Sequence, residues 1–276
     1  MGSSGSGSAT TPATFVGPMS FESLLETRSA REYADFVLPA IRPGDRVLDV
    51  GCGPGSISVG MAALGASVTG VDLDHAEFAD AREYAKSERI ENVTFVEGSI
   101  YDLAFPDASF DVCTCFSVLE VVERPLDGLR EVFRILKPGG VLAASSIEYG
   151  GLILEGPSEP LLRRFYDLRL QIYEAQGDVW PNRGRQLRGL LIGAGFIDVE
   201  ARTTYFSYGT EERVRSFGLR QVAGCEEDWY VESLAKYGLA DLAEINEMNR
   251  AWLAWSESPD AFAAFAWGRA TGRKPV

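Results

Sequence analysis

The sequence predicts an α/β protein built on a doubly wound parallel sheet. Two observations carry that expectation. Apolar runs alternate with stretches of helical periodicity along the first half of the chain, and strand–helix alternation at this spacing gives parallel strands joined by right-handed crossovers. The 276 residues, 46% hydrophobic and 24% charged, suit a soluble chain able to bury a real core.

The elements follow in order. The opening "MGSSGSGSAT" is a Gly/Ser linker of the kind appended for expression. It is set aside, and residues 1–14 are expected to be disordered. "SFESLLETRSAREYADFVLPAI" (20–41) has helical periodicity behind a Ser cap. "RVLDVG" then reads as a first strand, "SISVGMAALG" as a helix stopped by Gly65, "SVTGVDLD" as a second strand and "AEFADAREYAKSERI" as its helix. "VTFVEGSI" and "FDVCTCFSVL" are strands three and four, "PLDGLREVFRIL" a helix closed by "KPGG", and "VLAASSI" strand five. Residues 15–149 are thus expected to form the core with its N-terminal helix. Residues 150–182 read as a helical insertion, and 183–208 as a further helix and strand of the core. Residues 209–258, rich in aromatics, read as a helical cover, and 259–276 as a final strand and tail. Insertions of this kind sit near the carboxyl ends of the strands, where such sheets bind ligands.

Charge and cysteine content exclude several functions. A net charge of −14, with only a mild basic cluster at 182–188, argues against nucleic acid or an anionic membrane as partner. No apolar run approaches the roughly 20 residues that span a bilayer, and no signal peptide is evident. Four cysteines suit a reducing, cytoplasmic compartment. Cys113 and Cys115 point to the same face of one strand and read as core, and no metal is expected.

The segment "VLDVGCGPGSISVG" places Gly51, Gly53 and Gly55 directly after the first strand. A Gly-rich turn there lets a nucleotide-like ligand lie against backbone, because no Cβ stands in the way. Asp72 closes the second strand, close to the roughly 20-residue separation at which such folds place an acid for ribose hydroxyls. The spacing is G-x-G-x-G, not the G-x-G-x-x-G of nicotinamide binders. Asp49, two positions before Gly51, would repel a pyrophosphate but suit a cationic amine. S-adenosylmethionine carries an ammonium, a sulfonium and no phosphate, so the electrostatics favour it as cofactor.

On "VLDVGCGPG", "VTGVDLD", "FPDASFDVCTCFSVLEVVERP" and "LREVFRILKPGGVL", the chain resembles the class I S-adenosylmethionine-dependent methyltransferases of the ubiquinone/menaquinone-biosynthesis-like group. The likeness is strong over residues 28–147 and covers only topology beyond. It implies a Rossmann-like seven-stranded sheet with an antiparallel last strand. It also implies that Gly51, Cys52, Gly53 and Gly55 pass beneath the methionine and ribose, with Asp49 near the amine. Asp72 would hold the ribose hydroxyls, Leu73 would pack on adenine, and Phe116 and Ser117 would lie beside the sulfonium. Ser99, with the Ile100 backbone, stands where relatives carry an acid for the adenine amino group. Arg28 matches an arginine that reaches the methionine carboxylate; the alternative is an exposed helix charge. Val121 and Val122 stand where many relatives carry a histidine, so no histidine base is expected there.

Methyl transfer needs mainly a nucleophile held about 3 Å from the methyl carbon, with water excluded. A base is required only if the nucleophile must first lose a proton. His75, the sole histidine, lies on the ribose side. The catalytic candidates are Glu148 and Tyr149, past strand five, with Tyr173, Tyr205 and Tyr208 from the insertion edges. The acidic surface, and the absence of a "DPPY"-type signature after strand four, point to a small-molecule methyl acceptor. A monomer or homodimer is expected. Two other readings stay open at the level of sequence: a cofactor-binding protein of this fold that does not methylate, and a nicotinamide oxidoreductase.

Overall fold

The structure is a computed structural model that describes residues 28–177 and 179–276; the N-terminal linker and the first part of the expected 20–41 helix lie outside them. Seven strands form one sheet in the order β3-β2-β1-β4-β5-β7-β6. They are β1 (Arg46–Val50), β2 (Ser67–Asp72), β3 (Val93–Glu97), β4 (Phe110–Phe116), β5 (Leu136–Glu155), β6 (Ile197–Tyr208) and β7 (Phe262–Arg273). Strands β1 to β5 pair in parallel, and β7 runs antiparallel to both β5 and β6. The order reverses between β1 and β4, and that switch point opens a crevice at the strands' carboxyl ends.

Nine helices accompany the strands among the described residues: α1 (Ala30–Tyr33), α2 (Ser56–Ala62), α3 (Phe78–Ser87), α4 (Pro125–Ile135), α5 (Glu159–Gln176), α6 (Leu187–Gly193), α7 (Glu211–Glu226), α8 (Asp228–Tyr237) and α9 (Leu242–Ser256). The alternation of side chains along each strand divides the core. Leu48, Val50, Cys113 and Cys115 pack with Leu129, Val132 and Ile135 of α4 on one face. Val47, Val68, Val112 and Ala143 pack with Met61 and Ala34 on the other. A separate aromatic core joins α5, α7, α8 and α9 to β7 through Phe165, Phe217, Tyr230, Trp252, Trp255 and Phe265.

Three expectations need correction. The 20–41 helix is a single turn where it is described. Ser29 Oγ caps it, accepting from Glu32 N at 3.3 Å, and the chain then passes through a 3-10 turn at Leu38–Ala40, which contains Pro39. "KPGG" does not separate α4 from strand five but lies within β5, whose pairing with β4 shifts between Phe110 and Val112. The 150–182 insertion is not wholly helical: β5 runs on to Glu155, because past a register shift between Glu148 and Ile153 it pairs again with β7, Ile153 opposite Ala264.

Candidate active site

The glycine turn is built at the switch point. Gly51 N and Cys52 N donate to Val71 O at 2.7 and 3.1 Å, tying the exit of β1 to β2, and Gly55 N donates to Cys52 O at 3.0 Å. All three glycines have positive φ, at 71°, 48° and 76° for Gly51, Gly53 and Gly55, a region that side chains enter at a cost. Their crowding differs. A Cβ on Gly51 would strike Val118 Cγ2 at 2.1 Å and one on Gly55 would strike the Phe95 ring at 2.6 Å, whereas one on Gly53 would meet only Glu77 Oε2 at 3.8 Å. Gly51 and Gly55 are small for packing; Gly53 is the position that leaves space at the cavity.

That cavity, of about 250 Å³, is lined by Asp49, Gly51, Cys52, Gly53, Asp72, Leu73, Ile100, Phe116, Ser117 and Arg28. Asp72 grips the turn as well as facing the cavity. Its Oδ2 accepts from Gly53 N at 2.8 Å and its Oδ1 from Asp74 N at 3.2 Å, which leaves lone pairs on both oxygens for hydroxyl donors. Asp49 is 3% exposed and accepts from Ser58 Oγ at 2.6 Å and Thr114 Oγ1 at 2.7 Å. Burial raises its pKa to about 6 against the pull of those two hydroxyls, and the Asp72 charge adds to the rise. Leu73 is 71% exposed at the rim. Two carboxylates and a guanidinium in one lining fit an amine, ribose hydroxyls and a carboxylate. They do not fit a pyrophosphate.

Arg28 is not an exposed helix charge. It is 4% exposed and donates from Nη1 to Ser117 Oγ at 2.8 Å, and burial lowers its pKa. Ser117 holds a left-handed backbone, φ 61°, directly after β4, with its N–H given to Ser145 O at 2.9 Å. Ser99 lies off the cavity lining; its hydroxyl accepts from Tyr101 N at 3.2 Å, and Gly98 and Ile100 face the cavity on either side of it. Val121 and Val122 do line the cavity.

A second chamber adjoins the first. Its inner lobe, about 90 Å³, shares Arg28 with the glycine cavity, and its outer lobe, about 560 Å³, shares Ser117 and Val121 with it. The two lobes meet at Ile147, Tyr149, Arg169, Glu227 and Trp267. Along β5, Ile147 and Tyr149 face the chamber and Glu148 faces away. Glu148 is held by Arg185, whose N and Nε each donate to it at 3.0 Å, and it lines none of these cavities. Of the two catalytic candidates only Tyr149 lines the chamber, and burial raises its pKa. Tyr173 lines the outer lobe and Tyr208 the inner one. Tyr205, on the opposite side of β6, is 46% exposed, and His75 sits beside Glu97 away from the chamber, Nδ1 to Oε2 3.2 Å.

Sequence reasoning missed Glu120, Arg169 and Arg220. Glu120 is buried in the wall of the outer lobe, where it accepts from Ser146 Oγ at 2.6 Å, and burial raises its pKa. The two arginines lie on the apolar stripes of α5 and α7, with Phe165 one turn before Arg169 and Phe217 just before Arg220. A charge on such a stripe was the available signal.

Comparison with known proteins agrees with this geometry. A family model described as a methyltransferase domain matches residues 48–144. An uncharacterized methyltransferase of Schizosaccharomyces pombe is 32% identical over 67% of this chain and 69% of its own. The demethylmenaquinone methyltransferase of Clavibacter sepedonicus is 33% identical over 58% of this chain and 68% of its own. Among solved structures, a phosphoethanolamine N-methyltransferase of Haemonchus contortus, with S-adenosylhomocysteine bound, superposes with a TM-score of 0.54 at 20% identity. That likeness, over 86% of this chain and 50% of the other, is one of fold. The chain belongs to the class I S-adenosylmethionine-dependent methyltransferases, in the group that resembles the ubiquinone and menaquinone biosynthetic enzymes.

Proposed function

We propose that this methyltransferase acts on a small molecule held in the two-lobed chamber, by in-line displacement. The observation that carries the reading is the chamber itself: it meets the glycine cavity at Ser117 and Arg28 and is roofed by α5, α7 and α8. The cofactor, when bound, supplies a methyl group activated by a sulfonium. Asp72 is assigned to the ribose hydroxyls, Asp49 to the amine and Arg28 to the carboxylate. Ser117, fixed by Arg28, sets the floor between cavity and chamber. The aromatic roof excludes water, which matters because a sulfonium needs little beyond a positioned nucleophile. Where the acceptor must lose a proton, Glu120 is the group assigned to take it, since its raised pKa brings it closer to neutrality. Tyr149 is assigned to orient the acceptor. Among the described residues no helix is long and apolar enough to cross a membrane, and four cysteines without disulfides support a cytoplasmic setting.

The test is incubation with labelled S-adenosylmethionine and a metabolite extract, followed by mass spectrometry. A methylated small molecule is expected, with Tyr149→Phe and Glu120→Gln lowering kcat by about tenfold or more. Label found only on protein or nucleic acid would overturn the reading.

A further inference from the structure

The inner lobe gathers hydrogen-bond donors that the protein does not use. Arg28 Nε, Tyr166 Oη, Arg169 Nε and Arg220 Nη2 are buried side-chain atoms without a hydrogen-bond partner, and all four residues line this lobe. The two other such atoms among the described residues, Trp252 Nε1 and Arg269 Nε, belong to residues outside it. Buried polar groups in proteins are nearly always paired, so four together single out this lobe.

Aromatic rings hold the guanidinium groups without consuming those donors. Arg28 lies over Tyr33 and Trp267 at 4.9 and 4.8 Å, Arg169 over Trp229 at 5.0 Å, and Arg220 over Tyr208 and Phe217 at 5.5 Å each. The charge is unbalanced too. Glu227 is the one carboxylate among the described residues of the lining, and its Oε2 already accepts from Arg169 Nη2 at 3.1 Å and Trp229 Nε1 at 2.7 Å. A chain with a net charge of −14 thus keeps three arginines against one paired acid in a small aromatic lobe. Guanidinium forks beside apolar walls match a planar oxyanion on a flat apolar body.

We propose that the inner lobe is the specificity subsite for the methyl acceptor, and that Arg169 and Arg220 read an anionic oxygen group on an aromatic or similarly flat molecule. The proposal rests on the methyl-transfer reading above for calling the ligand an acceptor, but not for the anion site itself.

The experiment is calorimetric titration of the full chain, with and without saturating S-adenosylhomocysteine, using benzoate, phenyl phosphate and the neutral isostere benzamide. Benzoate is expected to bind at least about tenfold more tightly than benzamide. Arg169→Gln and Arg220→Gln should each abolish that preference while leaving S-adenosylhomocysteine affinity within about twofold, and Arg220→Lys should restore part of it. Arg220 is half-exposed, so its replacement keeps the test open if Arg169→Gln unfolds the roof. Tighter binding of phenyl phosphate than of benzoate would keep the anion site and assign it to phosphate esters. Equal binding of benzoate and benzamide, no binding of either, or a preference that survives both substitutions would overturn the proposal. Loss of S-adenosylhomocysteine binding with the benzoate preference intact would instead defeat the methyl-transfer reading.

Discussion

Asp49 carries its charge almost without water, with two hydroxyls as its only side-chain donors among the described residues. The unfolded side chain titrates near 3.9, by general expectation, and the folded one near 6, so the folded protein holds this proton more tightly than the unfolded chain. Its contribution is therefore full below about pH 4 and is lost as pH rises through 6, a loss on the order of 3 kcal/mol. The amine proposed to meet Asp49 would offset that cost by pairing with its ionised form. Asp49→Asn keeps the shape, and one of the two hydroxyls can turn to accept from the new amide. We expect the variant to melt several degrees above the parent at pH 8, the gap closing towards pH 4, and to bind S-adenosylmethionine more weakly at pH 8. Calorimetric scans at the two pH values check the first part, and a gap indifferent to pH would refute it. Asp72 is different, because it is half-exposed and already engaged with the turn. Asp72→Ala should weaken S-adenosylmethionine binding by about 2 kcal/mol, the scale of a pair of charge-assisted hydrogen bonds, with a small fall in Tm as Gly53 N loses its acceptor. Unchanged affinity by titration calorimetry would remove Asp72 from the site.

At the scale of the element, the β1–α2 turn separates two kinds of glycine that look alike in sequence. A Cβ on Gly53 meets only Glu77 Oε2, at 3.8 Å, so Gly53→Val should fold, at a cost of about 2 kcal/mol for a branched side chain at positive φ, yet lose cofactor binding. Gly55→Ala drives a Cβ against Phe95 and should lower Tm by more than Gly53→Val does. Circular dichroism melts with a binding titration distinguish the two, and tight binding by Gly53→Val would show that the turn does not carry the cofactor. The existence of that turn was legible, because strand, glycines and acid are all local signals. Tyr149, singled out in the sequence, does line the chamber. Its neighbour Glu148 was misjudged because strand alternation sends adjacent residues to opposite faces, and the sequence alone does not say which face is the chamber. The length of β5 was hidden for a similar reason: residues beyond Ile147 become strand only because β7, more than a hundred positions later, pairs with them. Glu120 stood inside a recognised segment, but its buried carboxylate is partnered by Ser146, which β5 brings in from 26 positions away.

At the scale of the whole molecule, the chain places an acidic exterior around a chamber walled by rings and arginines, and its roof is a long excursion between β6 and β7. Helix α7 contributes Phe217, Arg220 and Glu227's approach to the inner lobe, and α8 contributes Asp228 and Trp229 to the outer one. Helix α9 stands behind them, with Trp252 and Trp255 fully buried against Phe217. That layering makes α9 the anchor and α7 with α8 the part able to respond to ligand. On the proposal that these helices cover an acceptor, they would open to admit it and close to exclude water. Hydrogen exchange tests it directly. Adding S-adenosylhomocysteine and benzoate together should raise protection across 211–237 and change little across 242–256, because α9 is already shielded by its own packing. The competing account makes the same helices a face between two copies of the chain. It predicts protection that rises with protein concentration and ignores ligand, and that outcome would replace the cover with an interface.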